Sequence, residues 1–320
     1  MATSDKNRDE YERRVNRVLD HIRAHRAEEL TLETLAQVAA FSPFHFHRIF
    51  KAMTGENLRE LIQRTRLEAA ATQLSFRPHA DVLEIALDNG FTSASAFARA
   101  FKARFGMTAT AWRKGGSPNL CNHGEANRNP GTADRKDGKA GARGFAQGDS
   151  RSGNDARPTV EEPMNVTVKT LPTYHVAYLR HVGPYGAGGG IPQLWQKLAQ
   201  WANARDLWTP ERICIGLALD DPMVTEPAKC RYDAAIVIPP DFKTDGAINV
   251  IDIPGGKHAT TEFVGSAAQI GLAWARLFGE WLPESGFQPH DVCFELYTGE
   301  AWDVKSDQFR CQLCVPVRPL

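Results

Sequence analysis

Several kinds of chemistry are missing from this chain of 320 residues, and each gap narrows its function. Net charge is absent, with 38 Lys and Arg against 38 Asp and Glu, so whole-chain charge singles out no partner. No run of 18 apolar residues occurs, which excludes a transmembrane helix. The opening Met-Ala-Thr-Ser-Asp-Lys-Asn-Arg is polar and charged, unlike a secretory signal, so the cytoplasm is the expected compartment. Cysteine is sparse, at 121, 214, 230, 293, 311 and 314. Only Cys311 and Cys314 have zinc-like spacing, no second pair follows, and strand residues three apart face opposite sides. Reduced, mostly buried thiols and no metal are expected. Gly188-Gly189-Gly190 lacks the Lys-Ser/Thr of a phosphate loop and reads as a mobile loop at a pocket mouth. No Ser-His-Asp or Cys-His arrangement is readable. The expectation is therefore a protein without enzymatic activity, catalytic residues or cofactor.

What is present begins with a repeat. Ser42-Pro43-Phe44-His45-Phe46-His47-Arg48-Ile49-Phe50-Lys51 returns as Ser93-Ala94-Ser95-Ala96-Phe97-Ala98-Arg99-Ala100-Phe101-Lys102. The copies share Ser, then Phe, Arg and Phe-Lys at the same offsets. A short amphipathic helix precedes each one, over residues 32–39 and 82–87, with Gly90 as a stop signal for the second. Ser42 and Ser93 read as helix N-caps, and Pro43 suits a first helical position. Residues 58–76 read as one long helix between the units, and 8–25 as a first helix packing through Tyr11, Val15, Val18, Leu19 and Ile22. Two helix-turn-helix units on one chain can enter two major grooves, provided their second helices lie about 34 Å apart.

Residues 8–113 resemble the DNA-binding domain of the AraC/XylS regulators, an all-α, homeodomain-like double helix-turn-helix. The Leu-Ala pairs, the two Ser…Arg-x-Phe-Lys helices, Arg66-Leu67 and the closing run 105–113 carry the resemblance. Ala109 departs from it where the family has proline. The resemblance implies double-stranded DNA as partner, with RNA polymerase as a further candidate. By the same resemblance the DNA-facing positions are Phe44, His47, Arg48 and Lys51, then Ala94, Ser95, Ala98, Arg99 and Lys102. Arg48 suits a bidentate contact to guanine and Phe44 a thymine methyl. The second helix, with Arg99 as its long polar side chain, should mainly position the protein on phosphates. Phe46, Ile49, Phe50, Phe97 and Phe101 read as core. Residues 1–120 carry 18 Lys and Arg against 14 Asp and Glu, and residues 164–320 carry 13 against 17. The weakly basic part suits phosphates and the acidic part does not.

Residues 116–163 are almost wholly Gly, Asn, Asp, Ala, Arg, Lys and Ser, and read as a flexible linker spanning on the order of 35–40 Å. It should couple the flanking domains, 1–115 and 164–320, loosely unless they dock. After it, strands are expected at 166–171, 174–182, 213–219 and 232–238, with a helix over 191–207. The pattern then restarts, with strands at 248–253, 258–264, 292–297 and 309–317 and a helix over 270–281. Two strand–helix–strand–strand halves make a duplicated βαββ unit of the α+β class.

This half resembles the GyrI-like small-molecule-binding domain of multidrug-sensing regulators. The carriers are Arg180-His181-Val182-Gly183-Pro184-Tyr185, the Trp195 helix, Cys230-Arg231-Tyr232-Asp233, the run 280–286 and Phe294-Glu295-Leu296-Tyr297. Strand parity puts Cys293, Glu295 and Tyr297 on one face, and a mid-strand carboxylate is costly to bury without a partner. The resemblance implies that Glu295 sits in an aromatic pocket, for which Tyr185, Trp195, Tyr232, Trp274 and Tyr297 are the candidate walls. An anion between aromatic walls favours a lipophilic cation. Ordinary core packing is the plain reading of Trp201 and Trp281, and an ion pair with Arg231 or Arg310 is the plain reading of Glu295. The leading expectation is a DNA-binding regulator, an activator among the possibilities, that senses a small amphipathic effector. The alternatives are a hydrolase of reactive compounds, with Glu295 as general base and Tyr297 or Tyr185 as donor, and a protein-interaction module, since some GyrI-like proteins bind gyrase.

Overall fold

The computed structural model describes residues 2–116, 164–185, 190–244, 248–299, 301–303 and 308–320. The expected linker, Gly116 apart, lies outside them, as do Cys121, Gly188 and Gly189.

The amino-terminal half is helical. Helix α1 (Ala2–Ala24) begins before residue 8 because no Gly or Pro precedes Arg8 to stop it. Next come α2 (Leu32–Val38), α3 (Pro43–Thr54), α4 (Leu58–Phe76), α5 (Val82–Asp88), α6 (Ala94–Phe105) and the short α7 (Ala109–Ala111). Thr31 caps α2 and Asp81 caps α5 through their side chains. Asn57 and Glu60 form a reciprocal capping box on α4. Ser93 caps α6 by accepting from Ala96 N at 3.2 Å, but Ser42 makes no such bond; Pro43 starts α3 there instead. Thr108 accepts from Ala111 N, so α7 starts without the proline that Ala109 replaces. One core gathers Val15, Val18, Ile22, Leu35, Phe46 and Phe50, and a second gathers Leu67, Leu74, Ile85, Phe97, Phe101 and Trp112. Helix α4 contributes to both. Tyr11 packs its ring, tilted, 5.3 Å from that of Phe41 although it is 40% exposed.

Polar bonds lock the two units together. Arg66 donates to the carbonyls of Arg26 and Glu28, each at 2.7 Å. Asn89 is buried; it accepts from Arg26 and donates to Gln73 and Ile85 O. Gly90 follows the α5 C-cap in the left-handed region, with φ of 77°.

The carboxy-terminal half is a sheet with helices on one side. Its first βαββ unit is β1 (Thr167–Leu171), β2 (Tyr174–Val182), α8 (Ile191–Asn203), β3 (Ile213–Ala218) and β4 (Arg231–Val237). The second opens with β5 (Asn249–Ile253), β6 (Gly256–Gly265) and α9 (Ile270–Arg276). Helix α9 continues through a wide turn, Leu277–Trp281, into α10 (Leu282–Glu284). The unit closes with β7 (Phe287–Pro289), β8 (Phe294–Thr298), β9 (Trp302–Asp303) and β10 (Gln308–Pro319). Helix α8 stops at Asn203, short of the expected 207, where Asp206 takes a left-handed turn with φ of 56°. The short strands β7 and β9, which pair with β10, are too brief to leave a periodic signal.

The sheet order is β1-β6-β10-β8-β3-β4-β2-β5, all antiparallel. Each unit lends its first strand to the far edge of the other, and β3 and β8 meet at the centre. Helix α8 covers the β4 side and α9 the β6 side. Ala177, Tyr232, Ala234 and Ile236 face α8; Phe263, Leu313 and Val315 face α9 and the turn after it. Tyr174, Val176, Tyr178, Ile215, Leu217 and Phe294 pack on the other side of the sheet. Cys311 and Cys314 fall on opposite faces, and the described cysteines are all free thiols.

A methyl group at Gly90 would come 2.5 Å from Arg26 O and 2.8 Å from the Arg66 guanidinium, whereas one at Gly55, with nearly the same φ of 75°, would meet nothing within 4 Å. Gly55→Ala is therefore expected to cost only the left-handed penalty, about 1–2 kcal/mol, and Gly90→Ala more than that. Urea unfolding of both variants measures the gap, and equal losses would show that the Arg26–Arg66 junction does not constrain Gly90.

Candidate DNA interface and ligand site

Helix periodicity sorts the two recognition helices. In α3, Phe46 and Phe50 are buried, which turns Phe44, His47, Arg48 and Lys51 outward; all four are exposed, Phe44 to 75%. In α6, Phe97 and Phe101 are buried, and Ala94, Ser95, Ala98, Arg99 and Lys102 are exposed. Thus every expected DNA-facing residue lies on one of two outward stripes. His45 is also exposed, edge-on to Phe44 at 5.2 Å, while Ile49 is half-buried. Arg99 Nε donates to Ser95 O at 3.4 Å, which holds its guanidinium along the helix. Arg48, Lys51 and Lys102 make no ion pair among the described residues, so their charges are unspent.

The candidate ligand site is built on the central strand pair. Glu295 on β8 stands opposite Gly216 on β3, and Gly216 stands opposite Ala234 on β4. Cross-strand partners share a face, so small residues floor the sheet beside the carboxylate. Tyr232 lies two pairs further along β4, on the same face, opposite Ala218. Its hydroxyl donates to Glu295 Oε2 at 3.0 Å, and Tyr297 donates to the same oxygen at 2.8 Å. Trp274 Nε1, from α9, reaches Oε1 at 3.5 Å. Trp195, from α8, sets its ring 5.5 Å from Tyr297 and 6.5 Å from Tyr232, and Tyr185 lies edge-on to Tyr232 at 6.3 Å. The six expected ligand residues therefore converge between α8 and α9.

Tyr185 gives its hydroxyl to Arg231 O at 2.6 Å, and the ion pair expected of Glu295 needs correction. Glu295 has no ion-pair partner among the described residues: Arg231 pairs bidentately with Asp220 at 2.6 and 2.8 Å, and Arg310 does not pair with it. Trp201 and Trp281 are half-buried packing residues, as expected of core aromatics.

Sequence reading missed Gly216. A methyl there would overlap the Tyr232 hydroxyl and come within 2.7 Å of Glu295 Oε2. The signal was a lone glycine in an otherwise apolar strand, which marks close approach of another group. Gly190, the left-handed N-cap of α8, backs onto the His181 ring.

Burial raises the pKa of Glu295 above the ordinary carboxylate value, against the pull of hydrogen bonds from Tyr297, Tyr232 and Trp274. Burial and the neighbouring Glu295 charge push Tyr232 and Tyr297 well above the ordinary phenol range, so both act as donors. A carboxyl whose folded pKa is raised holds its proton more tightly folded than unfolded. Stability then falls as pH rises from the unfolded value of Glu295 through its folded one, and stays lower above it. Glu295→Gln cannot ionise. Its stability advantage over wild type should therefore grow across that window and then level off, as read from urea midpoints at each pH. A difference flat with pH would sink this account of the carboxylate.

Comparison with known proteins agrees with both halves. Residues 35–115 match a helix-turn-helix domain family, and residues 164–318 match the GyrI-like small molecule binding domain. Over 155 residues, 48% of this chain and 100% of the relative, the chain is 28% identical to the SPbeta prophage-derived protein YosT of Bacillus subtilis (strain 168). It is 37% identical over 103 residues to the uncharacterized HTH-type transcriptional regulator YbfP of the same strain, covering 32% of this chain but only 35% of that relative. A cryo-EM structure of an EcmrR–DNA complex in EcmrR-RPo is 18% identical, with a TM-score of 0.42, over 49% of this chain and 58% of that one. The chain thus joins an AraC-type helix-turn-helix domain to a GyrI-like domain, the make-up of a DNA-binding transcription regulator that carries a small-molecule-binding domain.

Proposed function

We propose that α3 and α6 enter successive major grooves of promoter DNA and that the Glu295 pocket binds a small lipophilic cation. The carrying observation is a buried carboxylate with aromatic walls and no cation of its own among the described residues. A cationic ligand supplies the missing charge and stacks on Trp195, Tyr232 or Tyr297. Residues 1–115 act as the DNA-binding domain, 164–320 as the effector domain, and 116–163 as their tether. Acting on chromosomal DNA places the protein in the cytoplasm, with RNA polymerase as the machinery that reads its occupancy. Arg48 and Phe44 read bases, while Lys51, Arg99 and Lys102 hold phosphates, with Ala94, Ser95 and Ala98 allowing close approach of α6 to the backbone.

Tetraphenylphosphonium should raise the melting temperature, and a neutral isostere should not. Glu295→Gln should lose the shift, and Gly216→Ala, which crowds the carboxylate, should weaken it. Affinity for the cation should fall on acidification, starting above the ordinary carboxylate range because the pKa of Glu295 is raised. Equal responses in wild type and Glu295→Gln would remove the charge-reading role, and hydrolysis of a probe ester would favour the enzymatic alternative.

On a duplex selected from a random library, Arg48→Ala should cost about 1–3 kcal/mol and relax preference at one base pair. Lys102→Ala should weaken all sequences alike and lower the salt slope by about 1. The reverse assignment of these two effects would overturn the division of labour between the helices.

A further inference from the structure

The two halves meet through a surface that the functional site does not use. Its centre is Arg180 on β2. The Arg180 side chain is 1% exposed; it bonds Asp233 of β4 at 2.6 and 2.7 Å and Asp20 of α1 at 2.6 Å. Tyr178 donates to the other Asp20 oxygen, and Asn249 Nδ2 donates to Arg13 O at 3.1 Å. A second contact is a closed ring of alternating charge. Glu56 pairs with Arg64, Arg64 with Glu68, and Glu68 with Arg104, each at 3.0 or 3.1 Å. Arg104 then reaches Glu226 at 3.2 Å, Glu226 reaches Lys229 at 3.4 Å, and Lys229 returns to Glu56 at 2.5 Å. The first four residues belong to the helical half and the last two to the sheet half. Third, Phe76, the last residue of α4, packs on Phe278 at 4.9 Å, and Val224 joins the core of the second helix-turn-helix unit.

Two of these contacts lead straight to the pocket. Tyr232 and Asp233 are neighbours on β4 and point to opposite faces, one to Glu295 and the other to Arg180. Trp274, bonded to Glu295, stacks on Phe278 at 6.0 Å, and Phe278 meets Phe76. Helix α4 carries core residues of both helix-turn-helix units, so its far end bears on their relative placement.

We infer that this surface of the effector domain, centred on Arg180 and Phe278, is a docking site for the DNA-binding domain of the same chain, through which pocket occupancy changes DNA affinity. The coupling rests on the proposed pocket; the docking does not. A ligand that displaces Trp274 or Tyr232 moves Phe278 or β4, and both movements bear on the docked half. By linkage, DNA must change ligand affinity by the same factor.

The test uses the full chain in a double-mutant cycle that needs no effector. Trp274→Ala perturbs the pocket, and Phe76→Ala cuts the aromatic contact without touching pocket or DNA stripe. Trp274→Ala is expected to change affinity for the selected duplex about fivefold or more, and by less than twofold when Phe76→Ala is already present. Asp20→Asn combined with Lys229→Gln spares the Arg180–Asp233 pair, so the sheet half stays folded. That variant should show a larger radius of gyration in small-angle scattering than wild type, and its DNA affinity should no longer respond to tetraphenylphosphonium. Unchanged dimensions in that variant overturn the docking. An unchanged Trp274→Ala effect in the Phe76→Ala background, or no effect in wild type, overturns the coupling. If tetraphenylphosphonium fails to bind wild type, the cation reading falls, while scattering and the mutant cycle still decide docking and coupling.

Discussion

Arg180 is a guanidinium with almost no water around it, and the structure has to supply everything that water would have given. Burial opposes its charge, but Asp233 and Asp20 outweigh that loss and hold its pKa well above the usual guanidinium value. Removing one partner of such a cluster typically costs about 3–5 kcal/mol, because an uncompensated buried charge is left behind. One of those partners lies on α1. The Arg180–Asp233 pair is balanced within the sheet half, and Asp20 of the helical half covers it, so the interface cannot open without exposing the pair to solvent. The charge ring differs in kind. Its Glu226 corner is half exposed, so salt screens it and it contributes direction more than strength.

Glu295 presents the opposite case. Its side chain is buried as well, yet among the described residues only hydroxyl and indole donors meet it. Neutral hydrogen bonds soften the desolvation cost without cancelling it, which is why its pKa moves up. One buried charge in this domain is met by two carboxylates and holds two bodies together; the other is met, among the described residues, by neutral donors and sits where aromatic rings converge. That contrast follows from the groups that surround each charge, not from burial.

Much of this was legible in the sequence, and the parts that were not share a physical reason. Helix α4 falls on the residues expected, 58–76, because its caps and apolar positions are local signals. The repeated Ser…Arg-x-Phe-Lys helices and the parity of Glu295 are local too, and the outward stripes and the aromatic convergence follow from them. Docking was not legible. Asp20, Glu56, Arg104 and Lys229 lie on charge-rich stretches, and a charged residue reads as solvated whether it faces water or an oppositely charged residue more than a hundred positions away. The composition of 116–163 argued for loose coupling, and composition carries no information about what the flanking domains do on contact. Gly216 was passed over because a missing side chain acquires meaning only when the strand beside it is known.

The duplication explains why the pocket lies where it does. In the sheet order, β3 and β8 are corresponding strands of the two units and pair about the centre. Carboxylates at both Gly216 and Glu295, which face each other there, would sit in contact and could not both ionise. The chain breaks the symmetry at that one pair: β8 supplies Glu295 and β3 supplies Gly216. The empty position accepts the Tyr232 hydroxyl and one carboxylate oxygen, so a single anion occupies a centre built for two side chains. Helices α8 and α9 flank that centre and bring Trp195 and Trp274 from opposite sides. Only the second of these reaches toward the DNA-binding half, through Phe278 and Phe76. A ligand in the proposed pocket would therefore bear on the DNA-binding half through Trp274 on the α9 side and through Tyr232 and its neighbour Asp233 on β4, and not through Trp195.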